Sequence, residues 1–301
     1  MVRSLLRFGA AVAFAALIAP PSSGAAPAPG LAYDEILRVV PGGTSQPPDG
    51  FAAEVTALAD ATPTPAPRRR PAAATADVGL GAAFAEIAVA ARAYLQPRLF
   101  RYAYWNGWER VDDPAARTAT IRKCDAGQTI ALDLAAKTYR IRDPGADAPE
   151  VAASGTAVAT IAESTAPLPA RAIEGVTANG YHTTATYAVT DATGSCRAAS
   201  GTIEAVTYLV GTLGRPSAAF CPIRRPLLPE TSEQALIPHT GCRPTYRLTR
   251  SGTTPPSSRL ALWSSVRIGA VDLVTERGNL RPLGAADATA FAIPSDFTAA
   301  P

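Results

Sequence analysis

The side chains best suited to acid–base or nucleophilic chemistry are the chain's two histidines, His182 and His239. A general base needs an imidazole within hydrogen-bond reach of the group that it deprotonates. His182 falls on the polar side of a predicted strand, where a solvated histidine is expected. His239 would need a serine brought to it by folding. No Gly-x-Ser-x-Gly, His-Glu-x-x-His or Gly-x-x-x-x-Gly-Lys motif accompanies either histidine. The sequence therefore assigns no catalytic residue.

A small acidic group, Glu109, Asp112 and Asp113, lies beside a predicted turn. Paired carboxylates can serve glycosyl transfer or bind calcium. Adjacent residues of a strand point to opposite faces, however, so Asp112 and Asp113 would not converge on one ligand. A solvated, turn-capping role is favoured for this group.

The four cysteines are interpreted as two disulfides, because an even number in an exported chain is typical of a disulfide framework. Three pairings are open. The favoured one joins Cys221 to Cys242, which flank a proline-rich loop, and Cys124 to Cys196, which lie beside hairpin turns. No two cysteines have CxxC spacing and the histidines are far apart, so no metal site and no other cofactor is predicted.

Aromatic side chains crowd one predicted hairpin and give the strongest indication of a binding surface. Rings supply a large apolar contact area at small entropic cost, so they can line a ligand pocket as well as a core. Aliphatic side chains that point to one side of a later strand would complete the pocket. The predicted ligand-binding residues are Phe100, Tyr102, Tyr104, Trp105, Trp108, Ile130, Leu132 and Leu134.

The N-terminus has the layout of a secretory signal peptide. Arg3 and Arg7 precede a 12-residue apolar run, Phe8–Ala19, which is too short to span a membrane. Small residues follow, and we expect cleavage after Ala25. Removing residues 1–25 lowers the formal net charge from +3 to +1, so nucleic acid is not an expected partner. The protein is predicted to be exported to a bacterial periplasm or beyond, without a membrane span.

Four segments must position these side chains. Residues 1–25 are the signal peptide, and residues 26–60 are predicted as an N-terminal extension with short helices at 31–40 and 51–60. Residues 61–81 form a Pro/Ala/Arg linker whose proline spacing forbids helix. Residues 82–301 form the main domain, which opens with a helix over 82–95 and contains a Cys/Pro-rich excursion at 214–244.

The main domain is predicted to be mainly β, with some helix (α+β). Clean alternation of apolar and polar residues in short runs is typical of an antiparallel sheet with one face on a core. Asn106-Gly107 is a strong hairpin signal, and Asn179-Gly180 is read as a further turn. Roughly ten strands are expected from twelve candidate runs, at residues 98–105, 108–112, 118–124, 129–134, 138–142, 157–163, 170–176, 181–190, 202–210, 246–250, 259–266 and 271–277.

Three segments are similar to a known family. TIALDLAAKTY (129–139), IEGVTANGYHTTATY (173–187) and the tail DATAFAIPSDF (287–297) resemble, in this order, the LolA-like bacterial envelope proteins, which include lipoprotein-sorting proteins. The resemblance covers roughly residues 82–297. It implies a curled antiparallel sheet, or incomplete β-barrel, around a helix, with a hydrophobic concavity suited to acyl chains. The linker and the 214–244 excursion depart from that pattern.

Three functions fit these observations. The first is non-enzymatic binding or carriage of a hydrophobic, lipid-like molecule by an envelope protein. The second is a structural or interaction module that meets another envelope protein through the linker or the 214–244 excursion. The third is a hydrolase that uses His239.

Overall fold

A computed structural model describes residues 30–41, 47, 49–60, 94–142, 154–214, 242–256 and 259–300. Within these residues the protein is mainly β, as expected, and its strands form one open sheet. The sheet has thirteen strands rather than about ten. The strands are β1 Gly30–Pro41, β2 Arg98–Trp105, β3 Trp108–Asp113, β4 Thr118–Lys123, β5 Gln128–Asp133, β6 Thr138–Arg142, β7 Gly155–Ile173, β8 Val176–Thr190, β9 Ala199–Gly214, β10 Cys242–Gly252, β11 Arg259–Ile268, β12 Val271–Leu283 and β13 Thr298–Ala299.

In the described part of the chain two short helices accompany the sheet, α1 at Phe51–Asp60 and a 3₁₀ helix at Ala285–Phe291. The helix predicted over 51–60 is confirmed. The signal peptide, the linker, residues 82–93 of the predicted helix and residues 215–241 of the excursion lie outside the described residues. Within the described part, none of the helices has the length and hydropathy required to cross a membrane.

The strand order is β10-β7-β8-β9-β11-β12-β1-β2-β3-β4-β5-β6-β13. Most neighbours are antiparallel, while β10 runs parallel to β7 and β13 runs parallel to β6. The first strand, β1, lies at the centre of the sheet between β12 and β2. The chain's N-terminal part therefore joins two meanders into one sheet.

The helix predicted over 31–40 is wrong, because these residues form β1. Ile36 and Leu37 are adjacent yet both buried, since both sides of this central strand are covered. A strand that is buried on both sides has a near-continuous apolar pattern, which sequence periodicity cannot separate from a helix.

The predicted meander over 98–142 is confirmed, with strand ends within one residue of those expected. Asn106 and Gly107 have φ angles of 49° and 78°, as a two-residue hairpin turn requires. The next three turns are four residues long and recur every ten residues. Each ends in a left-handed residue: Arg117, Gly127 and Lys137. Asp113 and Asp133 accept hydrogen bonds from backbone amides within their turns, as the capping role predicted for Asp113 requires.

The turn predicted at Asn179-Gly180 is wrong, because both residues lie inside β8. The hairpin instead turns at Glu174 and Gly175, whose φ angles are 49° and 75°. Gly180 is needed for space: a Cβ atom there would lie 2.8 Å from the Tyr208 ring. The predicted strand over 170–176 is consequently divided between the end of β7 and this turn.

The favoured disulfide pairing is also wrong, because Cys196 is bonded to Cys242. The first residue of β10, Cys242, pairs in register with Gly155 at the start of β7. The loop that carries Cys196 passes directly over Gly155, where a Cβ atom would lie 2.7 Å from the Cys196 nitrogen. Parallel pairing of β10 with β7 thus brings the two cysteines together, with Cα atoms 4.9 Å apart. Cys124 is also disulfide-bonded, and Cys221 lies outside the described residues.

Candidate binding face on the central strands

The predicted ligand-binding residues divide between the two faces of the sheet. Phe100, Tyr102 and Tyr104 alternate along β2 and share one face, as predicted. Trp105 and its cross-strand partner Trp108 lie on the other face, together with Ile130 and Leu132. We call the first side, over β2, β1, β12 and β11, the tyrosine face, and the second side, over β2 to β5, the tryptophan face. The eight residues therefore do not form one wall.

The tryptophan face is packed as a core against the C-terminal segment. Phe291, with no exposed surface, lies with its ring centroid 6.4 Å from that of Trp105 and 6.1 Å from that of Trp108. Ile130 and Leu132 are buried in the same cluster, and Leu134 packs against it. The segment is also held by an Arg110 Nη1 hydrogen bond to the Ala290 carbonyl at 2.6 Å. These contacts explain the burial of the five predicted residues as packing.

The tyrosine face carries three aromatic rings in mutual contact. The Tyr33 and Tyr102 ring centroids are 5.1 Å apart, and each lies 6.1 Å from the Tyr104 centroid. Tyr33 comes from β1, opposite Tyr102. The sequence prediction missed Tyr33 because it placed residues 31–40 in a helix. A weak signal was present, since Leu31, Tyr33, Leu37 and Val39 occupy alternate positions, but the apolar residues between them fit a helix equally well.

The hydroxyl of Tyr104 remains protonated far beyond neutral pH. Burial is the largest cause of its raised pKa, and the neighbouring Tyr33 and Glu109 add to the rise. Glu109 lies opposite Tyr104 on β3 and is itself buried. The Arg122 guanidinium is 3.7 Å from the Glu109 carboxylate. The Tyr104 phenol is consequently neutral, and it is hydrogen-bonded to Tyr33 within the stack.

A buried ion pair lies beside the tyrosines on the same face. Arg277 on β12 donates from Nε and Nη2 to Oε2 of Glu35, each at 2.7 Å. Its Nη1 donates to the Ala261 carbonyl at 3.0 Å, and its guanidinium lies 5.6 Å from the Tyr33 ring centroid. Register places Glu35 directly opposite Arg277. All three nitrogens of the arginine are therefore engaged, and the pair is neutral as a unit.

Two hydroxyl groups complete the polar part of the face. Ser264 on β11 lies directly opposite Thr275 on β12, and Thr275 lies opposite Leu37 on β1. Ser264 has no exposed surface and Thr275 is 2% exposed. Neither Oγ of Ser264 nor Oγ1 of Thr275 has a hydrogen-bond partner. Buried polar atoms are nearly always paired, so two adjacent orphans require an explanation.

The opposite side of the same central strands holds a second polar cluster. Arg38 Nη2 lies 2.7 Å from Oε2 of Glu54 on α1 and 2.9 Å from Oε1 of Glu276 on β12. Burial raises the pKa of Glu276 to about 7; Arg38 opposes this rise and Glu54 adds to it. Trp263, opposite Glu276, has a buried indole N–H with no partner. The Arg38 guanidinium thus forms ion pairs with two carboxylates, of which Glu276 is buried and Glu54 is partly exposed.

The histidines and the acidic group considered at first as catalytic or metal-binding residues do not form a common site in the described residues. His182 is half-buried on β8, and His239 lies outside the described residues. Arg110 engages Asp112 at 2.8 Å, while Arg98 engages Asp113 at 2.5 Å on the other side of the strand. In the described ranges, no group of three or more His, Cys, Asp or Glu residues could hold a metal ion.

Comparison with known proteins identifies no relative. No protein-family model matches the chain, and no curated protein or solved structure is detectably similar to it. The resemblance to LolA-like proteins therefore stays a prediction that rests on three short segments. What the molecule can do has to be argued from its own residues.

Proposed function

We propose that this protein binds an elongated, amphipathic, lipid-like molecule along the tyrosine face, without transforming it. The observation that carries the proposal is the stack of Tyr33, Tyr102 and Tyr104 on the face that also holds the two buried, unpartnered hydroxyl groups of Ser264 and Thr275. The rings supply apolar contact area, while the hydroxyls supply hydrogen-bonding capacity that the protein does not use.

The dimensions of the face favour an elongated ligand. Tyr102 on β2 and Ser264 on β11 are separated by three strand spacings, which is about 14 Å across the sheet. A compact molecule would contact the rings or the hydroxyls, whereas an acyl chain with a polar end can reach both.

The test is displacement of a fluorescent apolar probe, N-phenyl-1-naphthylamine, from the purified protein. We expect the probe to bind and to be displaced by monoolein. Tyr102→Leu and Tyr104→Ala should each weaken probe binding at least fivefold, because they remove ring contacts. Tyr246→Ala is the matched control, since Tyr246 is 44% exposed on the edge strand β10. Equal probe binding by the tyrosine-face variants and the control would refute the proposal.

We further propose that the protein acts outside the cytoplasm. The Arg3–Ala25 segment and the Cys196–Cys242 disulfide support this location, because disulfides persist mainly in oxidising compartments. Expression of the full chain in a bacterial host tests it by intact mass. We expect a periplasmic species that begins at Ala26, and recovery of uncleaved, reduced protein from the cytoplasm would contradict it.

A further inference from the structure

Helix α1 is held on the sheet by a small set of apolar contacts. Phe51 and Val55 are the two buried residues of the helix, and they pack on Ile36 of β1 and Leu99 of β2. In the described residues these four side chains form a cluster of their own, apart from the three larger apolar clusters of the sheet. A helix of this length is marginal in water without tertiary contacts. The helix can therefore leave the sheet as a unit while the larger clusters stay intact.

The polar contact between α1 and the sheet joins one cation to two carboxylates. Nη2 of Arg38 on β1 lies 2.7 Å from Glu54 on α1 and 2.9 Å from Glu276 on β12. The Nε of Arg38 is buried and has no hydrogen-bond partner. One positive and two negative groups sum to a net charge of −1 when all three are ionised. That charge is unfavourable beneath the helix, because the Glu276 side chain is only 5% exposed.

The other charged groups on this side do not balance the excess charge. Asp34 lies 3.7 Å from Arg101, and Asp272 lies 2.8 Å from Arg267, so both of these cations already have a carboxylate partner. Glu174, in the turn between β7 and β8, lies against Gly278 and adds a further negative group near the helix. Asp60, at the end of α1, is exposed. Among the described residues, Arg38 is therefore the cation that Glu54 and Glu276 have to share.

Protonation of Glu276 removes the excess charge. Arg38 and Glu54 then form a neutral pair, and α1 can pack on the sheet without burying an uncompensated carboxylate. When Glu276 is ionised, departure of α1 returns its carboxylate to water and separates it from Glu54. Burial accordingly raises the pKa of Glu276 to about 7 when α1 is in place, and Glu54 adds to the rise while Arg38 opposes it. Docking of α1 thus binds protons, so it is strongest below about pH 4.5 and weakens until the pH passes about 7.

We propose that α1 is a pH-sensitive cover over the apolar patch of Ile36 and Leu99, held firmly in acid and loosely above neutral pH, with Glu276 as the switch. Release of the helix uncovers the side of the central strands that lies opposite the tyrosine face. This inference does not depend on the proposed ligand, because Arg38, Glu54 and Glu276 lie on the other side of the sheet.

The experiment is hydrogen exchange of the oxidised full-length protein at pH 5, 6, 7 and 8, followed by mass spectrometry. Labelling times are scaled to the intrinsic exchange rate at each pH, so that the protection of the 51–60 segment reports its opening. The 176–190 segment of β8 is the internal reference for opening of the whole sheet. Glu276→Gln removes the titrating group, and Glu204→Gln is the matched control, since Glu204 is 44% exposed beside Arg267. Circular dichroism establishes that each variant is folded.

We expect the protection of residues 51–60 to fall at least tenfold between pH 5 and pH 8 while that of β8 changes less than threefold. A rise in pKa from 4.5 to about 7 corresponds to a change of up to about 300-fold. In Glu276→Gln the fall should shrink below threefold, and in Glu204→Gln it should persist.

Three results would overturn the inference: protection of α1 that is constant or rises with pH, equal loss of protection by α1 and β8, or a tenfold fall that persists in Glu276→Gln. If that variant does not fold, Glu54→Gln is judged by the same criterion, because it also leaves Arg38 with a single carboxylate.

Discussion

Replacing Glu276 by glutamine should make the protein more stable above neutral pH and leave it almost unchanged at pH 5. In the folded protein the pKa of Glu276 is raised from its ordinary 4.5 to about 7, chiefly by burial. Between these values the folded state binds more protons than the unfolded state, so the free energy of unfolding falls as the pH rises. The stability is fully present below about pH 4.5 and is lost by pH 7. Glutamine does not titrate, and its amide oxygen can still accept from Arg38.

The structure sets the size of this effect. A rise in pKa from 4.5 to about 7 corresponds to about 3 kcal/mol, at about 1.4 kcal/mol for each pH unit. The Arg38 guanidinium offsets part of the burial, whereas Glu54 on α1 competes for that same cation. We therefore expect Glu276→Gln to gain up to about 3 kcal/mol at pH 8.

The assay is urea unfolding of the oxidised protein at pH 5, 6, 7 and 8, followed by circular dichroism. The difference between the variant and the unaltered protein is the measured quantity, because other carboxylates titrate equally in both. Glu204→Gln is the control, since Glu204 is 44% exposed beside Arg267 and should change little. If Glu276→Gln is less stable at pH 8 than at pH 5 relative to the unaltered protein, the Arg38–Glu276 attraction outweighs desolvation and the reasoning is refuted.

Three further predictions concern packing and covalent structure. Gly278→Ala should destabilise the protein by about 1–3 kcal/mol, because its Cβ would lie 2.5 Å from the Phe51 ring of α1. The control Gly284→Ala should not destabilise it, since the space around that position is open. Equal melting temperatures for the two variants would contradict this prediction. Phe291→Ala should lower the free energy of unfolding in urea by about 3–5 kcal/mol, since it leaves a cavity against Trp105 and Trp108. A loss below 1 kcal/mol would mean that the C-terminal segment is not part of the core. Cys196→Ser/Cys242→Ser opens a loop of 46 residues and should lower the free energy of unfolding by about 4 kcal/mol on a chain-entropy basis, an expectation that fails if the denaturation midpoint is unchanged.

The meander over 98–142 was predictable because its signals are local. Asn106-Gly107 requires positive φ at two positions, and the strands that follow alternate apolar and polar residues over a few positions each. Such patterns depend on immediate neighbours and on one buried face, which the sequence displays directly.

What depended on distant neighbours could not be predicted. The 31–40 segment is a strand because β2 and β12 lie on either side of it, and nothing within the segment itself identifies those partners. Asn179-Gly180 has the sequence of a turn, but glycine is required at position 180 because the Tyr208 ring of β9 leaves no space for a Cβ atom. Cys242 pairs with Cys196 because β10 runs parallel to β7, a topology that cysteine spacing does not encode.

Only the part of the candidate site that depends on local alternation could be predicted from the sequence. Phe100, Tyr102 and Tyr104 share a face that their alternation indicates, and the structure adds Tyr33 and the Glu35–Arg277 pair from strands far apart in the chain. The Ser264–Thr275 pair follows from register alone, since a serine and a threonine in apolar strands carry no distinguishing motif. Which hydroxyls lack partners is a property of packing.

Because β1 lies at the centre of the sheet, the order in which the strands are synthesised affects how the chain folds. Ribosomes synthesise Gly30–Pro41 before any other strand of this sheet, yet one of its two neighbouring strands, Val271–Leu283, is made only near the end of synthesis. The nascent chain therefore carries an unsatisfied hydrophobic edge for nearly its whole length, a situation that slows folding and invites aggregation or capture by chaperones. A circular permutant that begins at β2 and ends with β1 would leave only the short C-terminal segment with β13 and the joining residues between β12 and β1, and it should refold faster than the natural order.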